Sequence, residues 1–113
     1  MRHKLGRDYA HELSFQIKAA RLPAPIREFP FAKPQRAFRA DLAFPALRLL
    51  VEVDGSVHRI KERFRGDLER DQWIFLNLPT WRKLRVSPRQ VRSGEALQLV
   101  ERALALAPLQ PPA

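Results

Sequence analysis

Residues 39–55 read Arg39-Ala40-Asp41-Leu42-Ala43-Phe44-Pro45-Ala46-Leu47-Arg48-Leu49-Leu50-Val51-Glu52-Val53-Asp54-Gly55, two strands joined near Pro45-Ala46 with three acids set among apolar residues. Side chains alternate along a strand, so Leu50, Glu52 and Asp54 share one face. A two-residue connection, with Phe44 facing Leu47, puts Asp41 opposite Leu50 and diagonal to Glu52. Diagonal neighbours stand roughly 7–8 Å apart, close enough for one cation to bridge. A three-residue connection flips the parity and parts the two acids. On spacing alone the acids are a metal site, solvated strand residues as on the open face of an antiparallel sheet, or partners for Arg39 and Arg48. Leu49, Leu50, Val51 and Val53 tip the balance, because a near-continuous apolar run predicts a strand covered on both faces. Carboxylates under such cover need a metal, a cation or hydrogen bonds.

Upstream, Asp8 is placed to cap a helix reaching to about residue 21, with Tyr9, Leu13, Ile17 and Ala20 on one stripe. Glu12 and Gln16 lie beside that stripe, one turn apart. A solvated helix residue is the plain reading of Glu12 and of His11. Pro23 and Pro25 end the helix. Residues 26–31 predict a first strand, with Pro30 marking an edge or a bulge. Lys33-Pro34-Gln35-Arg36 is a basic turn, and the central hairpin takes residues 38–44 and 47–54.

Beyond Gly55-Ser56, His58, Arg59, Lys61, Arg63 and Arg65 crowd together with Glu62 as the one opposing charge. Such a run is commonly a solvated segment, and its place after Asp54 suits a phosphate-facing loop. Residues 67–78 predict a second helix. Leu68, Trp73, Ile74, Phe75, Leu76 and Leu78 make it apolar over a wide arc, which predicts deep packing. Residues 81–86 predict a fourth strand and Ser87-Pro88 a turn. Ser93 is placed to cap a last helix over 94–107, with Ala96, Leu97, Val100, Leu104 and Leu106 as its apolar set. Residues 1–107 are expected to form a single domain and 108–113 a flexible tail.

Composition narrows the function classes. The chain has 113 residues, 45% of them hydrophobic, enough for one compact core. Cysteine is absent, which excludes disulfides, thiolate zinc sites and cysteine nucleophiles together. No apolar run approaches the roughly 20 residues of a membrane span. Met1-Arg2-His3-Lys4 leads into no apolar segment of the secretory kind, so an intracellular, cytoplasmic protein is expected, in the host cytoplasm if the source is a phage. Lys and Arg number 21 against 12 Asp and Glu, for a net charge of +9. That excess points to a polyanion partner, and nucleic acid is the commonest.

The element order is helix, three strands, helix, strand, helix. An acid stands on the first helix, Asp41 on the second strand and Glu52-Val53-Asp54 at the end of the third. This arrangement resembles the PD-(D/E)xK nuclease superfamily, and most closely its small Vsr-like branch. The matching segments are residues 38–45, then Leu50-Val51-Glu52-Val53-Asp54-Gly55 with His58, then Asp67 with Arg70-Asp71, then residues 81–86. The resemblance spans about residues 8–107. It implies an αβββαβα restriction-endonuclease-like core, in which a central mixed four-stranded sheet is flanked by helices.

It further implies a divalent metal, Mg²⁺ with Mn²⁺ able to substitute, bound by Asp41, Glu52 and the carbonyl of Val53. Glu12 would reach the site from the first helix, directly or through water. His58 would position water or contact phosphate. The superfamily usually carries Lys two residues after the second acid, where this chain has Asp54. Lys61, His58 or Gln72 could take that role, or Asp54 could favour a second metal. Asp67 and Arg70, three residues apart, read as a helix ion pair, and Trp73 and Trp81 read as core residues.

The resemblance implies an endonuclease that hydrolyses DNA phosphodiesters in recombination or repair. Lys33, Arg36, Arg59, Lys61, Arg63 and Arg65 are the candidate DNA-binding residues. So small a core has little surface for reading a long base sequence, so recognition of DNA shape is expected. Branched DNA and four-way Holliday junctions are the leading substrates, by a looser resemblance to archaeal-type junction resolvases. A resolvase would be a two-fold dimer, with Phe29, Phe31, Leu106 and Leu109 available for the contact. Vsr-type nicking is the alternative, although that protein's structural zinc site needs cysteines. A DNA-binding module with a decayed site and a structural protein with a merely electrostatic basic face are the others.

Overall fold

The computed structural model describes residues 8–54 and 61–106, of which 61–65 by their backbone alone. Helix α1 spans Tyr9–Ala19. The Asp8 carboxylate accepts from the His11 amide at 2.9 Å, satisfying one of the donors that a helix start leaves unpaired. The helix ends short of residue 21, where Arg21 turns to φ 62° ahead of Pro23. Strands β1 (Ile26–Phe29), β2 (Ala40–Phe44) and β3 (Leu49–Val53) follow, then α2 (Lys61–Asn77), β4 (Arg82–Val86), α3 (Pro88–Ser93) and α4 (Glu95–Leu104). The sheet order is β1-β2-β3-β4. The first two pairings are antiparallel and β3 runs parallel to β4. A parallel pair needs a long crossover, which α2 supplies. The chain is thus mixed α/β, a four-stranded mixed sheet with flanking helices.

Alternation along the strands separates two layers of core. Leu42, Phe44, Leu49, Val51 and Val86 pack with Leu13 and Ile17 of α1, Val91 of α3 and Val100 of α4. On the other face Ala43 and Leu50 pack with Ile74 of α2. The expectation that the third strand is covered on both faces is met: Leu49, Leu50, Val51 and Glu52 are all buried. No helix among the described residues is long and apolar enough to cross a membrane.

Three expectations are corrected. Helix α2 begins at Lys61, not residue 67, so Lys61, Arg63 and Arg65 stand on a helix and not in a loop. Lys, Glu and Arg are good helix formers, and Gly66 is tolerated inside the run. Deep packing of α2 is also not found. Leu68, Phe75 and Leu76 are 50%, 79% and 73% exposed, because a helix lying on one sheet face buries only the side turned to it. Finally, Ser87-Pro88 opens a helix where a turn was expected. The Ser87 hydroxyl accepts from the Gln90 amide at 3.1 Å, and the Gln90 side chain accepts from the Ser87 amide at 3.0 Å. With Pro88 in the first turn this is a reciprocal cap. Gly94 at φ 89° then divides α3 from α4. The last helix, expected over 94–107, is α4, preceded by the additional short helix α3, and Leu106 lies past its end.

Phe29 stacks on Trp81 with ring centres 6.1 Å apart, and Phe31 meets Trp73 at 6.0 Å. Both phenylalanines are half-buried and pack against the second core layer. Leu109 lies outside the described residues, while Leu106 is exposed.

Candidate functional site

The β2–β3 connection takes residues 45–48, a 3₁₀ turn over Pro45–Leu47 closed by Arg48 at φ 51°. It is longer than the expected two residues by an even number, which preserves parity and slides the register by one pair. Leu42 faces Val51, Ala43 faces Leu50 and Phe44 faces Leu49. Continuing this register brings Asp41 directly opposite Glu52, closer than the expected diagonal. Asp41 Oδ2 accepts from the Val53 amide at 2.8 Å, which ties the acid to the end of the neighbouring strand.

Glu52 is only 5% exposed. Its Oε1 accepts from Arg70 Nη2 of α2 at 2.6 Å. Its Oε2 is buried and takes no hydrogen bond from the described residues. Burial pushes the carboxyl up from 4.5 to about 7, with Arg70 pulling against burial, Asp41 adding to it, and Lys83 and Arg85 opposing it more weakly. The parallel pairing sets Lys83 beside Leu50 and Arg85 beside Glu52. Both cations meet Asp71 of α2: Lys83 in a direct ion pair, Arg85 at 3.6 Å. Asp54 is exposed and lies 4.0 Å from Arg85.

The other sequence candidates fall in several places. Val53 is half-buried at the end of β3, next to Asp54, whose amide donates to the Val86 carbonyl at 2.8 Å. Glu12 is half-buried on α1, whose buried stripe covers the sheet face opposite to that of Glu52. Among the described residues, no three of His, Cys, Asp or Glu are grouped closely enough to hold a metal ion, so the expected trio of Glu12, Asp41 and Glu52 is not brought together. Lys33 is exposed. Arg36 is exposed too, 3.7 Å from Glu69 and over the Phe38 ring at 4.3 Å. Gln72 is exposed on α2. His58 and Arg59 lie outside the described residues, as do the side chains of Lys61, Arg63 and Arg65.

Sequence reasoning missed the cations that surround Glu52. Arg70 was read as the partner of Asp67, which stands at 3.9 Å, whereas its tighter bond is to Glu52. Lys83 and Arg85 share a strand face by simple alternation. Nothing local to β4 signals that this face lies beside Glu52. An open groove of about 420 Å³ adjoins them between α2 and β4, with Asp71, Phe75, Trp81, Lys83 and Arg85 among its walls.

The residues present suit a hard divalent cation. Two facing carboxylates supply oxygen, one with a buried oxygen that no donor among the described residues meets, and Mg²⁺ keeps several waters and so needs few protein ligands. Compared with protein-family models, with curated proteins and with solved structures, the chain finds no match.

Proposed function

We propose that this chain is a Mg²⁺-dependent DNA endonuclease with a restriction-endonuclease-like core, cutting phosphodiesters at a site formed by Asp41, Glu52 and the Val53 carbonyl. The observation that carries the reading is the buried carboxylate of Glu52, set across from Asp41 with one oxygen that takes no hydrogen bond from the described residues. Bound there, Mg²⁺ would supply charge to stabilise the reacting phosphate and to acidify a water. Besides Arg70, Lys83 and Arg85 are described cations that act on Glu52, and they take the place of the superfamily's usual lysine in this reading. Glu12 is outside the proposed ligand set. The net charge of +9 supports a DNA partner, and the small size favours branched or four-way junction substrates over long base sequences. Nicking of the Vsr type remains the alternative substrate mode.

A second reading has its own support. Arg70 neutralises Glu52, and Asp54 stands where the superfamily usually has Lys, as in a DNA-binding module whose catalysis has decayed. Incubation of branched and linear DNA with Mg²⁺, then with EDTA, separates the two. The nuclease reading expects metal-dependent cleavage that Asp41→Asn or Glu52→Gln abolishes while DNA binding persists. Either change removes negative charge that repels phosphate. Full activity in either variant would overturn the site, and binding without cleavage in the unaltered chain would favour the decayed module.

A further inference from the structure

We infer that Arg70 is a built-in stand-in cation, which holds Glu52 before the metal binds and moves off it when the metal arrives; this rests on the metal-site reading above. Three oxygens from three parts of the chain lie near its guanidinium. Glu52 Oε1 on β3 is at 2.6 Å, the Arg39 carbonyl just ahead of β2 is at 3.3 Å from Nη1, and Asp67 Oδ1 on its own helix is at 3.9 Å. The side chains of Arg70 and Glu52 are 17% and 7% exposed, so the pair is largely withdrawn from water. The guanidinium therefore reaches from the Glu52 carboxylate to the start of the strand that carries Asp41.

A buried charged carboxylate without a partner is strongly disfavoured, so ionised Glu52 needs a cation whenever metal is absent. A divalent ion shared by Asp41 and Glu52 would bring a second positive charge to the same carboxylate, and like charges that close repel. Metal and Arg70 therefore compete for Glu52. Metal affinity is scaled down to the fraction of molecules in which Arg70 has let go of Glu52. Released, Arg70 stays tethered on α2 beside the site, and its planar fork suits a phosphate oxygen pair. It acts as a positioning residue, through Glu52.

The test is Mn²⁺ binding to the full chain by calorimetry at about pH 8, with Arg70→Gln, Arg70→Lys and Asp41→Asn alongside. Arg70→Gln should bind Mn²⁺ about tenfold more tightly or better, Arg70→Lys should stay near the unaltered chain, and Asp41→Asn should lose binding. A purely structural arginine would give the opposite sign, with weaker binding in Arg70→Gln, and equal or weaker affinity in that folded variant overturns the inference while leaving the metal site standing. If Arg70→Gln does not fold, the ¹⁵N resonance of the Arg70 side chain in the unaltered chain decides. Displacement by Mg²⁺ supports the inference, and an unmoved resonance on saturation overturns it. Absence of Mn²⁺ binding in every form would bring down the metal reading and this inference with it.

Discussion

Glu52 takes a proton more readily in the folded chain than in the unfolded one, because burial lifts its carboxyl from 4.5 to about 7 against the pull of Arg70. Its protonated form is therefore the one that folding favours. The associated stability is fully present below 4.5 and is lost as pH rises through about 7, some ~3 kcal/mol in all. The thermal midpoint of the metal-free chain should fall between pH 5 and pH 8. Glu52→Gln, which cannot titrate, should show a shallower decline over that window. Parallel declines in calorimetric melts would mean that Glu52 is not the group responsible. Adding Mg²⁺ at pH 8 should restore part of the loss in the unaltered chain alone, since the ion binds the charged form. Asp41 differs in kind: its tie to the Val53 amide needs only an acceptor, which Asn also provides.

The helix starts show how much a short motif can carry. Asp8 was legible as a cap because nothing but a helix follows it. Ser87-Pro88 is equally good as a turn, and only Gln90, third into the helix, turns the pair into a reciprocal cap. Ser87→Ala should cost about 1 kcal/mol in urea denaturation, as it frees the Gln90 amide while leaving Pro88 in place. No loss would show that α3 is held by packing of the buried Val91 alone. Helix α2 was misjudged for a different reason. Its apolar residues are spread around the axis, and composition does not say how many sides will find a neighbour. Ile74 found one, whereas Phe75 and Leu76 did not.

On the scale of the molecule, charge is the dominant property. Reversing Arg59, Lys61, Arg63 and Arg65 together should weaken DNA binding and flatten its salt dependence by a slope of about 3–4, one phosphate contact for each. Fluorescence anisotropy across a salt series, with competitor DNA, reads both. An unchanged slope would move the binding face toward Lys33 and Arg36, although Arg36 is already paired with Glu69. The same scale decides assembly. Phe29 and Phe31 stack within their own chain but stay half-buried, so a junction-cutting dimer has only part of each ring to use. Light scattering on a four-way junction, with mapping of paired nicks, should find two copies if the substrate is a junction. A monomer leaving single nicks would favour a nicking enzyme.

By itself the sequence determined that Leu50 and Glu52 share a face and that β3 is covered on both sides, because a strand's two-residue alternation and an unbroken apolar run are properties of neighbours in the chain, whereas the face of Asp41 hung on the length of the connection, which the turn over residues 45–48 settled. It also determined the order of elements up to the fourth strand. Tertiary structure alone decided what meets Glu52. Arg70 reaches it from a helix whose rotation depends on how Ile74 seats against Ala43 and Leu50. Arg85 stands beside it through a parallel pairing made across the whole length of α2. Glu12 is kept apart because α1 settles on the other layer, with Leu13 and Ile17 turned toward Leu42 and Val51. Register between distant strands and the seating of a helix are sums over many contacts, and no single stretch of the chain encodes them.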